Sequence, residues 1–190
     1  MMFNNHDLVL VLLSCVFINL LVVSIESKRD EITIFYNVYI PESRFSDHAL
    51  NIVREQLQYR ENSIYPLAPL YYMTIGKDIG KLENCTNCRK IHHHNIGNEI
   101  ETLSSLYEYC ATHQSEKVAY LHNKGSFHPN IENDRLRIML NKAVFSEECL
   151  LLKTPTNALK TKCNICSSRF SPIPHHHVSI LFVAVLRYLY

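Results

Sequence analysis

Residues 31–40 read EITIFYNVYI and are followed by Pro41. β-Branched and aromatic side chains crowd this decapeptide, a composition that fits a pleated, buried strand, and the proline after it supplies no backbone donor to continue a ladder. Downstream, HALNIVREQLQYR (His48 to Arg60) places Leu50, Val53 and Leu57 at offsets of three and four with polar residues between them, the periodicity of an amphipathic helix. LYYMTIG (Leu70 to Gly76) is again a short β-type apolar run, closed by glycine. The order is strand, helix, strand.

The pattern then recurs. NEIETLSSLYEYC carries Ile100, Leu103, Tyr107 and Cys110 on one helical stripe, and KVAYLH (Lys117 to His122) is a strand. Leu136, Met139, Leu140, Ala143 and Val144 recur at i, i+3, i+4, i+7 and i+8, which predicts a further helix. Strands alternating with helices predict an α/β domain with a mainly parallel sheet, flanking helices and right-handed crossovers.

Between the last strand and the last helix runs YLHNKGSFHPNIENDRLR (Tyr120 to Arg137). Ligands of open α/β sheets bind beyond the carboxyl ends of strands, and HNKGSFHP occupies that position. His122, Ser126 and His128 supply hydrogen-bonding groups, Lys124 a point charge, and Gly125 close backbone approach or positive φ. Arg137, four residues after Asn133 on the following helix, could grip phosphate or carboxylate bidentately. Asn37, near the carboxyl end of the first strand, joins these ligand-binding candidates. The stretch has neither GxxxxGK[ST] nor GxGxxG spacing, and read without context it is a polar strand-to-helix turn. GNEIE (Gly97 to Glu101) is a capped helix start in which Glu99 and Glu101 are acid/base candidates; Glu99 and His122 are the catalytic candidates.

At 190 residues and 47% hydrophobic composition the chain has room for one cored domain with a short appendage. Its formal net charge of +1 and the lack of a long basic run argue against a nucleic-acid-binding face. The appendage is N-terminal: LVLVLLSCVFINLLVVSI (Leu8 to Ile25) is uncharged and long enough to approach the span of a bilayer. No Lys or Arg precedes it, the apolar run is long and VVS, ending at Ser24, is only a passable cleavage signal, so it reads as a retained transmembrane signal-anchor, with a cleaved signal peptide as the alternative. Residues 31–190 then form a lumenal domain of the endomembrane system (endoplasmic reticulum or Golgi), secreted if the signal is cleaved.

Cys85, Cys88, Cys110, Cys149, Cys163 and Cys166 lie in that domain, four of them in two CxxC pairs. In an oxidising lumen disulfides are the first reading, with 15 pairings open by sequence. Zinc on the two CxxC pairs is second, because the interval between them far exceeds that of a compact zinc ribbon. Redox chemistry is third, since neither CxxC sits at a strand-to-helix junction. Asn84 opens an N-glycosylation sequon, NCT, which a disulfide at Cys85 would hinder. The triplets at His92–His94 and His175–His177 read as solvated loop histidines, and no metal ligand set is assigned.

Across residues 31–177, the order IFYNVYI, REQL, YYMTIG, CxxCR, GNEIETL, YLHNKGSFH and CNICSSRFSPIPHHH resembles an uncharacterised family of algal secretory-pathway proteins. That family is in turn similar to bacterial polysaccharide glycosyltransferases of the rhamnan-synthesis type, which carry a related His-x-Lys and Gly-Ser segment before an Arg-bearing helix. The resemblance implies a nucleotide-diphospho-sugar transferase-like fold and a nucleotide sugar as donor, with His122, Lys124, Ser126 and Arg137 matching the shared motif. It also implies a longer chain, of which VSILFVAVLRYLY is a shortened end, and the sequence has no Asp-x-Asp for a divalent cation. A non-catalytic lumenal interaction module, stapled by disulfides or zinc, is the alternative function.

Overall fold

The computed structural model describes residues 32–113, 116–123, 125–126, 129–151, 165–167 and 182–185. The chain divides between Glu31 and Ile32, and the second unit is the folded domain. The apolar segment 8–25 lies outside the described residues, as do Lys124, His128 and Cys163. No helix among the described residues is long and apolar enough to cross a membrane.

The elements are β1 (Ile32–Ile40), α1 (Ser46–Glu61), β2 (Leu70–Gly76), β3 (Cys88–His94), α2 (Glu99–Thr112), β4 (Lys117–His122), α3 (Ile131–Val144), α4 (Glu147–Leu150), β5 (Ile165–Ser167) and β6 (Phe182–Val185). They build one sheet of order β3-β2-β1-β4-β6-β5. β1 pairs in parallel with β2 and with β4, β2 pairs in parallel with β3, and β6 runs antiparallel to both β4 and β5. The expected α/β architecture with a parallel sheet and flanking helices is therefore present.

Topology explains the layers. The β1-to-β2 and β3-to-β4 connections travel in opposite directions along the sheet, and crossovers of one hand then fall on opposite faces. One face carries α1, α3 and α4 over Ile34, Tyr36, Val38, Tyr72, Ala119 and Leu121. The other carries α2 over Phe35, Val118 and Tyr120. At the end of β2, Gly76 has φ +84°, and a Cβ there would lie 2.3 Å from the Ile40 carbonyl oxygen, so only glycine fits beside the end of β1.

Two helices are rotated from their expected faces. In α2 the buried stripe is Thr102, Leu106 and Cys110, leaving Ile100 66% and Tyr107 55% exposed. In α3 it is Arg137, Leu140, Asn141 and Val144, while Met139 faces solvent. Apolar periodicity mispredicted both because polar side chains occupy part of the core stripe. β3, within a stretch expected as loop, is an edge strand held by its ladder to β2; it has no apolar alternation to announce it. His92–His94 thus lie on a strand, with His93 Nδ1 2.9 Å from Thr74 Oγ1.

Cys85 bonds Cys88, and Cys149 on α4 bonds Cys166 on β5. The expectation for Cys110 is corrected: it is a free thiol on the buried face of α2, and burial raises its pKa. The Cys149–Cys166 bridge spans 17 residues and ties β5 to the body of the domain. Cys166→Ser is expected to lower unfolding free energy by about 3 kcal/mol, measured by urea titration, because the unfolded chain regains the entropy of that loop.

Candidate functional site

β1 and β4 are adjacent, yet β1 leads to β2 on one side and β4 is reached from β3 across the sheet. Their carboxyl ends therefore form a topological switch point, where the loops that follow diverge and leave a crevice. A cavity of about 380 Å³ opens there. Its walls come from Asn37 and Tyr39 of β1, Ile75 of β2, His122 and Asn123 at the end of β4, Gly97 to Glu99 at the start of α2, the Gly125–Ser126 turn, and Asn133 of α3. Five residues selected from sequence, Asn37, Glu99, His122, Gly125 and Ser126, are thus brought together.

Asn123 fastens the crevice. Its Nδ2 donates to the Tyr39 carbonyl at 2.6 Å and its Oδ1 accepts from the Tyr39 backbone N–H at 2.8 Å. One amide thereby continues the β1–β4 ladder beyond the last strand residue. The chain then turns through Gly125 at φ +89°, and the Ser126 N–H donates to the Asn123 carbonyl at 3.3 Å. The backbone can reverse there because glycine carries no Cβ.

The two acids at the start of α2 are used differently. Glu101 Oε2 accepts from the Asn98 backbone N–H at 2.9 Å, and Asn98 Oδ1 accepts from the Ile100 N–H at 2.8 Å, a reciprocal cap. Glu99 lines the cavity, with Oε1 3.5 Å from His122 Nδ1. Asn37 is 3% exposed and its side chain bonds the Tyr120 phenol, but among the described residues its Oδ1 is a buried acceptor with no hydrogen-bond partner. Such an atom has lost water without replacement, a cost that a ligand donor would relieve.

Arg137 does not reach into the cavity. Its Nη2 and Nε approach Glu55 at 3.1 and 3.4 Å, and its Nη1 donates to Asp134 at 2.6 Å. Burial disfavours this cation, but the hydrogen bonds and charges of Glu55 and Asp134 outweigh it and raise the pKa above the ordinary arginine value. Arg137 is a support behind the Gly125 turn, since a Cβ on that glycine would lie 3.4 Å from Nη1.

Sequence reading missed Asn123, Tyr39 and the amides behind the site. Gln56 Nε2 donates to the His122 carbonyl at 3.0 Å and to Asn141 Oδ1 at 2.9 Å, and Tyr36 donates to Gln56 Oε1 at 2.6 Å. The signal for them was a polar residue on an otherwise apolar stripe, as at Gln56 among Val53, Leu57 and Ile52. Burial pushes the Tyr36 phenol well above its ordinary pKa, with Glu55 adding to the effect, and burial likewise raises Tyr120. Tyr109 is pushed up to about 12, by burial and by its bond to Glu116.

The two CxxC pairs are not assembled as a zinc site: Cys85 is bonded to Cys88, and Cys166 to Cys149. Among the described residues no group of three or more His, Cys, Asp or Glu side chains is placed to hold a metal ion. Asn84 is exposed, at φ 53°.

An α/β domain with a switch-point cavity is the class that this fold and site define. The chain belongs to the DUF8361 family, a domain of unknown function, whose model matches residues 35–189. Neither the curated proteins nor the solved structures contain a match to it.

Asn123→Ala is expected to reduce stability by about 2–3 kcal/mol in denaturant titration, because it leaves both Tyr39 backbone groups without their partner. The raised phenol pKa values give a second expectation. These groups stay neutral in the folded state while the unfolded chain ionises, so their contribution is intact below about pH 10 and is lost as pH rises through the folded values. Equilibrium unfolding followed from pH 8 to 12 should show the midpoint falling only above about pH 10.

Proposed function

We propose that this domain binds a nucleotide-diphosphate sugar in the crevice between Asn37, Glu99, His122 and the Gly125–Ser126 turn, as a glycosyltransferase-like protein. The observation that carries this reading is the buried, unpartnered Asn37 Oδ1 in a cavity at the switch point. It suits a base N–H or a sugar hydroxyl as donor. The close backbone approach at the Gly125 turn and the positive dipole ends of α2 and α3 suit a diphosphate, and Lys124 supplies the cation of the motif. His122 fits a proton acceptor for an attacking hydroxyl: the proton moves to the imidazole and Glu99 compensates the charge.

Two disulfides suit an oxidising compartment, in keeping with a lumenal domain on a membrane anchor at residues 8–25. The exposed Ile96, Ile100 and Tyr107 near and on α2 favour, as second reading, a disulfide-stapled interaction module without catalysis.

Calorimetric titration with UDP-, GDP- and dTDP-sugars separates the two. Saturable binding of one donor class is expected, and Lys124→Ala should weaken it roughly 10- to 100-fold by removing a charge-assisted contact. Asn37→Leu should weaken binding by at least about tenfold while changing stability by no more than about 1 kcal/mol, since the loss of the bond to Tyr120 is offset by removal of a buried, unsatisfied acceptor. If none of the sugars binds the folded wild-type protein, the interaction module remains.

A further inference from the structure

The Cys85–Cys88 bond ties the end of the β2–β3 loop to the first residue of β3 and spans only three residues in sequence. So short a bridge restricts the unfolded chain far less than the 17-residue span of Cys149–Cys166, so its structural value is the smaller of the two. Both sulfurs belong to half-buried residues, and the intervening Thr86 and Asn87 are exposed, so the segment that carries the bond lies at the surface.

Beneath that loop lies Arg60, 1% exposed on the core stripe of α1. Its Nη2 donates to the Ala68 carbonyl at 2.7 Å and to the Thr86 carbonyl at 2.8 Å. Nη1 lies 3.9 Å from Cys85 Sγ and 4.0 Å from Cys88 Sγ, and Nε is buried without a partner among the described residues. Buried guanidinium groups are ordinarily paired with a carboxylate. Arg137 follows that rule; Arg60 has no ion pair among the described residues. The neighbouring acids are engaged elsewhere, Glu83 with Arg54 and Asp78 with Lys90, while Glu61 acts on Arg60 only at longer range. A neutral disulfide leaves the buried charge uncompensated. Reduction supplies its counter-ion, because one sulfur can then be a thiolate against Nη1.

We propose that Cys85–Cys88 is a thiol–disulfide exchange site whose reduced form is held as a thiolate by Arg60. A thiolate of a partner dithiol attacks one Sγ, forms a mixed disulfide and breaks the Cys85–Cys88 bond, and the released Sγ departs as a thiolate beside the guanidinium. The partner's second thiol loses its proton to water and displaces the remaining sulfur, which takes up a proton. The partner leaves as a disulfide, two electrons having passed to the cysteine pair. Sequence reading ranked redox chemistry low because the motif lacks a helix N-terminus; the buried arginine supplies the positive charge instead.

The full chain, equilibrated in glutathione or dithiothreitol redox buffers and analysed by differential alkylation and peptide mass spectrometry, reports both bridges at once. Cys85–Cys88 should be half-reduced at a reductant ratio at least tenfold lower than Cys149–Cys166, a gap of about 30 mV. In the partly reduced protein, one of the two thiols should be alkylated with a pH midpoint below the ordinary value of about 8.5. Arg60→Met should abolish the tenfold gap and raise the midpoint, while Arg60→Lys should keep part of both. The proposal is overturned if Cys85–Cys88 resists reduction as strongly as Cys149–Cys166, if both its thiols titrate normally in the wild-type protein, or if folded Arg60→Met behaves as wild type. The wild-type measurements decide the matter should Arg60→Met fail to fold.

Discussion

Gln56 is a polar residue on the buried stripe of α1, and its carboxamide joins four elements. It accepts from Tyr36 on β1 and donates to the carbonyl of His122 on β4 and to Asn141 on α3. Asn141 and Arg137 then converge on Glu55, one residue back along α1. In a low-dielectric interior these bonds are worth more than in water, and each member would be costly to leave unmatched. The network fixes the spacing of α1 and α3 over the sheet and holds the end of β4 from beneath. The cavity on the opposite face inherits its geometry from that anchorage.

The two faces of the sheet therefore have different tasks. Beneath α1, α3 and α4 the packing is extensive and tied down by Cys149–Cys166. Beneath α2 the cluster is small, centred on Phe35, Leu106, Cys110, Val118 and Tyr120. Past the start of α2, toward the carboxyl ends of β1 and β4, the cavity opens. The well-packed face supports the one that carries the cavity.

Two arginines occupy core positions under opposite electrostatic conditions. Arg137 is bracketed by Glu55 and Asp134, so its charge is compensated and its role is to brace the Gly125 turn. Arg60 meets carbonyls and sulfur, and burial pulls its pKa below the ordinary arginine value. Both were equally visible as basic residues in helical segments; what separates them is the identity of the atoms that the fold brings alongside.

The strands β1, β2 and β4, the helices between them, and hence the α/β class were legible in the sequence, because β-branched runs and helical periodicity are local signals. So was much of the site: Asn37, His122, Gly125 and Ser126 are placed at strand ends or in the turn beyond, and the carboxyl end of a parallel strand is where ligands gather. β3, the rotated faces of α2 and α3, and the division between Glu99 and Glu101 required the tertiary structure. An edge strand is specified by its neighbour's ladder, a helix face by which polar groups find buried partners, and a carboxylate's role by whether a cap or an imidazole lies nearest. The same holds for the cysteines. Their number and spacing limited the possible pairings, but the bonding of Cys149 to Cys166 and the free burial of Cys110 depend on distances that only the folded chain sets.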